Sequence, residues 1–240
     1  MNETGFLLEV EKITKSFTHS DDSLIRVLNG VSFRLQPGEK VALTGANGSG
    51  KTTLLRIIQG QLQQDSGHIF FLGRPKSSKF PHERAKQIGS VSQNSYKAVA
   101  SDLTVEEVLA IASRRQDSLR LKKVSSDSFF SELERISPEI AQFVSARRKS
   151  VTNTLSGGQR QLVALAAALL GQPRVLLLDE HLSSLDDEYQ SWADAAIDKI
   201  VALDKAGCVV VSHDKKWING FSDRVMRIEK GTLHIRKEYS

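Results

Sequence analysis

The chain of 240 residues contains one cysteine, Cys208, so no internal disulfide can form. Cys208 precedes a valine run, where a small apolar side chain suits a buried strand. No apolar run approaches the ~20 residues that cross a bilayer. The N-terminus, Met1-Asn-Glu-Thr-Gly-Phe6, has no basic region followed by an apolar stretch, which predicts no secretion signal. Aromatic residues make up only 6%, and no basic stripe is interleaved with them, which disfavours a nucleic-acid-binding surface. There is no internal repeat and no low-complexity tract. What remains is ordinary for a globular chain: 25% charged and 40% hydrophobic residues, enough to bury a sizeable core as one unit.

The formal net charge of +5 is unevenly spread. Basic residues gather at Arg114, Arg115, Arg120, Lys122 and Lys123, and again at Arg147, Arg148 and Lys149. Asp127, Glu132, Glu134 and Glu139 intervene. This pattern reads as a solvated helical face, the alternative being attraction to anionic lipid or to acidic loops of a partner.

Against these absences, Gly45-Ala46-Asn47-Gly48-Ser49-Gly50-Lys51-Thr52 matches G-x-x-x-x-G-K-[ST]. Composition alone produces such a match in roughly one chain in a hundred. Context strengthens it: Lys40 to Thr44 reads as a short buried strand, and Thr53 to Gln59 has helical apolar spacing. Strand, glycine loop and helix form a cradle whose N–H groups and helix N-terminus favour an anion. Lys51 then reaches the β- and γ-phosphates of a nucleotide, and the Thr52 hydroxyl ligates Mg²⁺.

Val175-Leu-Leu-Leu-Asp179 is a continuous apolar run ending in a carboxylate, the pattern of a parallel strand buried on both faces. Ligands gather at the carboxyl ends of such strands, which places Asp179 to hold Mg²⁺ through a water. Glu180 follows and is the candidate to orient or deprotonate an attacking water.

With Leu155-Ser156-Gly157-Gly158-Gln159 between these two motifs, the chain resembles the ATP-binding cassette (ABC) ATPases. Weaker motifs fall in family order. Ser92-Gln93-Asn94 resembles the Q-loop, Ser184-Leu185-Asp186 the D-loop, and Val209-Val-Val-Ser-His213-Asp214 the switch-histidine strand. Phe17 sits where the family places a ring that stacks on adenine.

The resemblance implies an α/β fold: a P-loop NTPase core with a mainly parallel sheet, a small antiparallel β-subdomain and an inserted α-helical subdomain. It implies one cassette over residues 6–236, with the core in 1–94 and 171–240 and the helices in 95–170. It further implies a transport ATPase that uses ATP and Mg²⁺. Glu180, His213 and Gln93 are the expected catalytic residues, with Gln93 also near Mg²⁺, and Thr53 completes the nucleotide-binding set. Ser156, Gly157, Gly158, Gln159 and Asp186 would act in trans on ATP held by a second cassette, taken as a second copy of this chain. The other expected partners are a transmembrane permease subunit and a solute-binding protein. The expected location is the cytoplasmic face of a membrane.

Three departures stand out. Leu162 and Ala167 occupy positions where most family members have arginines, and His181-Leu182 replace a Pro-Thr pair. Asp179-Glu-His181, Arg160-Gln-Leu162, Phe80 to Gly89 and Leu103 to Arg115 are similar to one subgroup, the ATPases of importers for tryptophan, tyrosine or related solutes. A soluble, non-transport cassette acting as an assembly or scaffold factor is the alternative function.

The remaining pattern predicts strands at Phe6 to Thr14, Val27 to Leu35 and Gly67 to Leu72, with a polar loop over Thr18 to Ser23. It predicts helix stripes at Val105, Val108, Leu109 and Ala112, and from Phe129 to Val144. A closing hairpin is expected over Arg224 to Ile235, turning at Lys230-Gly231.

Overall fold

The computed structural model describes residues 5–18, 22–75, 84, 86–92, 99–114, 126–180 and 185–236. Two sheets carry the fold. The strands β1 (Leu8–Thr18), β2 (Leu24–Leu35), β4 (Ser66–Phe71) and β5 (Arg74–Pro75) make an antiparallel sheet in the order β2-β1-β4-β5. The second has six strands: β3 (Lys40–Thr44), β6 (Ile88–Val91), β7 (Val175–Asp179), β8 (Gly207–Val211), β9 (Arg224–Glu229) and β10 (Thr232–Arg236), in the order β10-β9-β3-β8-β7-β6. All its pairings are parallel except the closing β9–β10 hairpin. That hairpin turns at Lys230 and Gly231, both with positive φ, the geometry that matches strand twist in a two-residue turn.

The strands β7 and β8 are buried at every position, as continuous apolar runs in a parallel sheet require. Leu177, Val209 and Val211 pack against helix α1 (Lys51–Gln59) and the antiparallel sheet, while Leu176, Leu178 and Val210 face a second apolar cluster. This second cluster is built largely from helices. They are α2 (Val105–Ser113), α3 (Ser126–Ile136), α4 (Pro138–Ala146) and α5 (Gly157–Leu170), together with α6 (Asp187–Leu203) and α7 (Lys215–Phe221). Helix α5 is buried nearly all round, which suits its alanine- and leucine-rich sequence and a central position. Cys208 lies fully inside β8, and burial pushes its thiol pKa up.

The predicted elements differ mainly at their ends. Strand β1 begins at Leu8, not Phe6, and runs on to Thr18; β2 begins at Leu24. The polar residues between Lys15 and Thr18 thus form strand, because pairing with β2 supplies their backbone hydrogen bonds. Helix α5 starts at Gly157, directly after its capping residue Ser156.

Candidate active site

The glycine loop connects β3 to α1 and forms one wall of a cleft of about 530 Å³. Gly45 has φ 148°, and a β-carbon there would fall 2.5 Å from the Ile228 carbonyl oxygen, so no other residue fits without displacing β9. Asn47, Gly48, Ser49, Gly50, Lys51, Thr52 and Thr53 line the cleft, with Glu180 and His213 opposite. Lys51 is nearly buried and donates from Nζ to the carbonyls of Gly45 (2.8 Å) and Ala46 (3.0 Å). The ammonium therefore stands in the mouth of the loop. Ser49 Oγ is buried there without a hydrogen-bond partner.

At the end of β7, Thr52 Oγ1 donates to Asp179 Oδ2 at 3.0 Å. Burial raises the Asp179 pKa above its ordinary value; the Thr52 hydrogen bond opposes this, and the charge of Glu180 adds to it. A hydroxyl and a carboxylate converging beside a second acid fit a hard divalent cation, which binds oxygen donors and would relieve that repulsion. No cluster of three or more His, Cys, Asp or Glu side chains capable of holding a metal occurs among the described residues.

Glu180 takes φ 50°, the left-handed region that non-glycine residues rarely adopt. Its N–H donates to Val211 O at 2.9 Å, so the β7–β8 ladder holds the backbone as the chain turns. Glu180 Oε1 lies 3.0 Å from His213 Nε2, beyond the end of the neighbouring strand β8. A strained acid against an imidazole at one cleft wall is an arrangement that can position and deprotonate a water.

Ser156 caps α5. Its hydroxyl accepts from Gln159 N, and the Gln159 side chain accepts from Ser156 N, both at 3.2 Å. Ser156 is exposed, Gly157 is partly buried and Gly158 is buried. Asp186 caps α6 by accepting from Tyr189 N at 2.9 Å. The first turns of α1, α5 and α7 contain no acid, whereas α2, α4 and α6 have Glu106 and Glu107, Glu139, and Asp187 and Glu188 respectively. The helix ends predicted to meet phosphate are thus left with their positive partial charge uncompensated by a first-turn carboxylate.

Residues 28–183 match the family described as ABC transporter. The chain belongs to the ABC transporter family. It is 30% identical to the tyrosine transport ATP-binding protein of Clostridioides difficile, over 95% of this chain and 90% of that one. It is 32% identical to a putative hemin import ATP-binding protein, HrtA, of Staphylococcus haemolyticus, over 95% and 99%. Among solved structures, a dimeric ATP-binding cassette in a post-hydrolysis state with ADP and Pi superimposes with a TM-score of 0.80 at 24% identity, covering 97% and 99% of the two chains. That likeness shows a common fold. The protein is therefore a nucleotide-binding cassette of the P-loop class and an ATPase of the transporter family.

Not every predicted residue of the cassette joins the cleft. Phe17 is 41% exposed at the end of β1 and does not line the cleft, although Val27 on the adjacent strand does. Gln93, Asn94, His181, Leu182 and Ser184 lie outside the described residues. Leu162 is fully buried and Ala167 nearly so, both in the helical apolar cluster, so packing occupies the positions of the family's arginines.

Two contributors escaped the sequence reading. Val27 borders the phosphate loop, and at its strand position it reads as ordinary core. Arg84 is fully buried and donates from Nη1 to the carbonyls of Ile57 (2.7 Å) and Ile58 (3.3 Å), bracing the C-terminal end of α1. Burial lowers its pKa. A lone arginine in a charged stretch gives no signal of this role.

Proposed function

We propose that this cassette is the ATP-hydrolysing subunit of a membrane importer for a small solute and works as a head-to-tail dimer. The catalytic part of the reading rests on one observation: Lys51, Thr52, Glu180 and His213 line a single cleft, with Asp179 bonded to Thr52 at its base. The N–H groups around Gly48, Ser49 and Gly50 and the α1 terminus hold the phosphates, and Lys51 transfers its hydrogen bonds from the Gly45 and Ala46 carbonyls to them. Thr52 and Asp179 would hold Mg²⁺, with Gln93 a further candidate ligand, and the ion would supply neutralisation of the charge on the phosphates. Glu180 orients and takes the proton of the attacking water, and His213 holds Glu180 and the γ-phosphate in register.

Phe17 and Ile25 are register partners across β1 and β2, and Ile25 lies two residues from Val27 on the same strand. This alignment supports a base stacked on Phe17 beyond the phosphate cleft. The exposed cap of α5 supports contact of Ser156, Gly157, Gly158 and Gln159 with nucleotide held by a partner, with Asp186 alongside. Hydrolysis removes the shared γ-phosphate and loosens the dimer.

Import, rather than export, follows the printed function of the hemin import relative and the subgroup resemblance. No helix among the described residues is long and apolar enough to cross a membrane, so a permease subunit supplies the channel and recruits the cassette to its cytoplasmic face. A solute-binding protein completes the complex. Residues 95–170 form the inserted helical subdomain that docks the permease, within a single cassette of residues 6–236.

Affinity purification of tagged Glu180→Gln protein with ATP, from gently solubilised cells, tests this reading. Recovery of a polytopic membrane protein supports it. Recovery of soluble assembly partners alone replaces transport with a scaffold role and leaves the ATPase chemistry standing.

A further inference from the structure

Strand β1 outruns one of its neighbours. Its pairing with β4 ends at Thr14 opposite Ser66, whereas its pairing with β2 continues to Thr18 opposite Leu24. Lys15, Ser16 and Phe17 therefore have a ladder on one side only. The strand is also irregular here: Lys12 takes φ 48°, and the β2 register shifts three times between Val10 and Ser16. A strand end held along a single edge, after a series of bulges, has little of its own to fix where its side chains point.

Asp65 stands where the next rung from β4 would be. Its N–H donates to Thr14 O at 2.9 Å, its Oδ2 accepts from Ser16 N at 2.6 Å, and its Oδ1 accepts from Lys15 Nζ at 2.8 Å. Gly67, two residues on, makes this approach possible. It has φ 92°, and a β-carbon there would fall 2.4 Å from Glu11 O and 2.5 Å from Lys12 O. Lys15 Nζ lies 5.4 Å from the centroid of the Phe17 ring. One carboxylate thus fixes the backbone on the residue before Phe17 and places a cation against its ring.

We propose that Asp65 is a positioning residue for nucleotide binding: it holds Lys15 and Ser16 so that Phe17 presents a fixed, cation-backed ring to the base of ATP. This rests on the reading that Phe17 receives the base. The hydrogen bond from Lys15, with that from Ser16 N, holds the Asp65 carboxyl below its usual pKa, so the clamp is ionised across the neutral range. A cation on one side of a ring draws electron density from the other, which favours stacking of an electron-rich purine there. The contribution is confined to the base. The phosphate loop lies on β3 and α1, and none of the residues lining its cleft bonds to Asp65.

The test separates base from phosphate. Dissociation constants of Mg·ATP and of Mg·tripolyphosphate, which has no base, are measured for the full-length wild type, Asp65→Ala, Asp65→Asn and Phe17→Ala. Asp65→Ala is expected to weaken ATP about threefold to tenfold, the scale of a partly exposed charge-assisted contact. Tripolyphosphate affinity and kcat at saturating ATP should stay within twofold. Asp65→Asn, which keeps an acceptor for Ser16 N and loses the charge facing Lys15, should fall between. Phe17→Ala should weaken ATP about tenfold or more and leave tripolyphosphate unchanged. If Phe17→Ala weakens ATP and Asp65→Ala does not, the positioning role is overturned while the base platform stands. If Asp65→Ala weakens both ligands equally, the residue supports the fold generally and the proposal is overturned. If Phe17→Ala leaves ATP binding intact, the platform itself is lost and the proposal with it.

Discussion

Glu180 and His213 meet beyond the ends of two adjacent parallel strands, with His213 Nε2 3.0 Å from Glu180 Oε1. Neither strand alone creates the contact: β7 delivers the acid through a left-handed turn, and β8 delivers the imidazole. The pair faces a loop whose lysine is bonded to its own carbonyls. Nucleotide binding would exchange these lysine bonds for phosphate contacts.

Removing the Glu180 charge separates binding from chemistry. Glu180→Gln should retain ATP affinity and lose about 10²–10⁴ in turnover, the range for a general base. Single-turnover hydrolysis in parallel with equilibrium nucleotide binding makes the check, and normal turnover removes Glu180 from that role.

Lys51→Ala should weaken ATP about tenfold to a hundredfold, the scale of a charge-assisted hydrogen bond to phosphate. A fluorescent nucleotide titration reads this directly. Unchanged affinity would refute the cradle assignment.

The contact between α6 and α7 predicts a pH-dependent stability effect. Trp217 Nε1 donates to Asp194 Oδ2 at 2.9 Å, while burial raises the Asp194 pKa and this bond opposes the rise. Because the folded pKa is raised, ionising Asp194 weighs against folding above it, and below the unfolded value near 3.9 that term vanishes. The indole N–H favours the ionised form, so its removal matters most when Asp194 is charged. Trp217→Phe should cost about 1.5–3 kcal/mol at neutral pH and less as pH falls through the folded pKa. Urea unfolding at several pH values measures it, and a cost independent of pH contradicts the coupling.

Leu162 occupies a position where arginine is common in the family, and here it is fully buried among apolar side chains. Leu162→Arg places an unpaired charge in that cluster and should cost several kcal/mol. A large fall in thermal midpoint is expected, and a neutral effect would mean the helical core can open to solvent at α5.

The parts of the fold legible in sequence were those written in apolar runs and loop chemistry. Strand β7 falls where its uninterrupted apolar run predicts it, and the glycine loop lies between strand and helix as its motif requires. The Ser156–Gln159 capping box makes Gly157 and Gly158 the first helical residues of α5, although glycine has little helix propensity of its own. The polar end of β1 was missed because pairing with β2 and the clamp from Asp65, not an apolar pattern, hold it. Contacts spanning about fifty residues, such as Asp65 with Lys15, leave no local trace in the sequence. Arg84 escaped for the same reason, since its partners are carbonyls at the end of α1.

In the proposed cycle ATP joins two copies of this chain head to tail through the α5 cap. Sedimentation of Glu180→Gln with Mg·ATP, and of the same variant further changed by Ser156→Arg, tests it most directly. The first is expected to shift from 26.5 kDa to twice that mass, while the second binds ATP and stays monomeric. A first variant that remains at monomer mass with ATP bound, or a second that dimerises equally well, would contradict it.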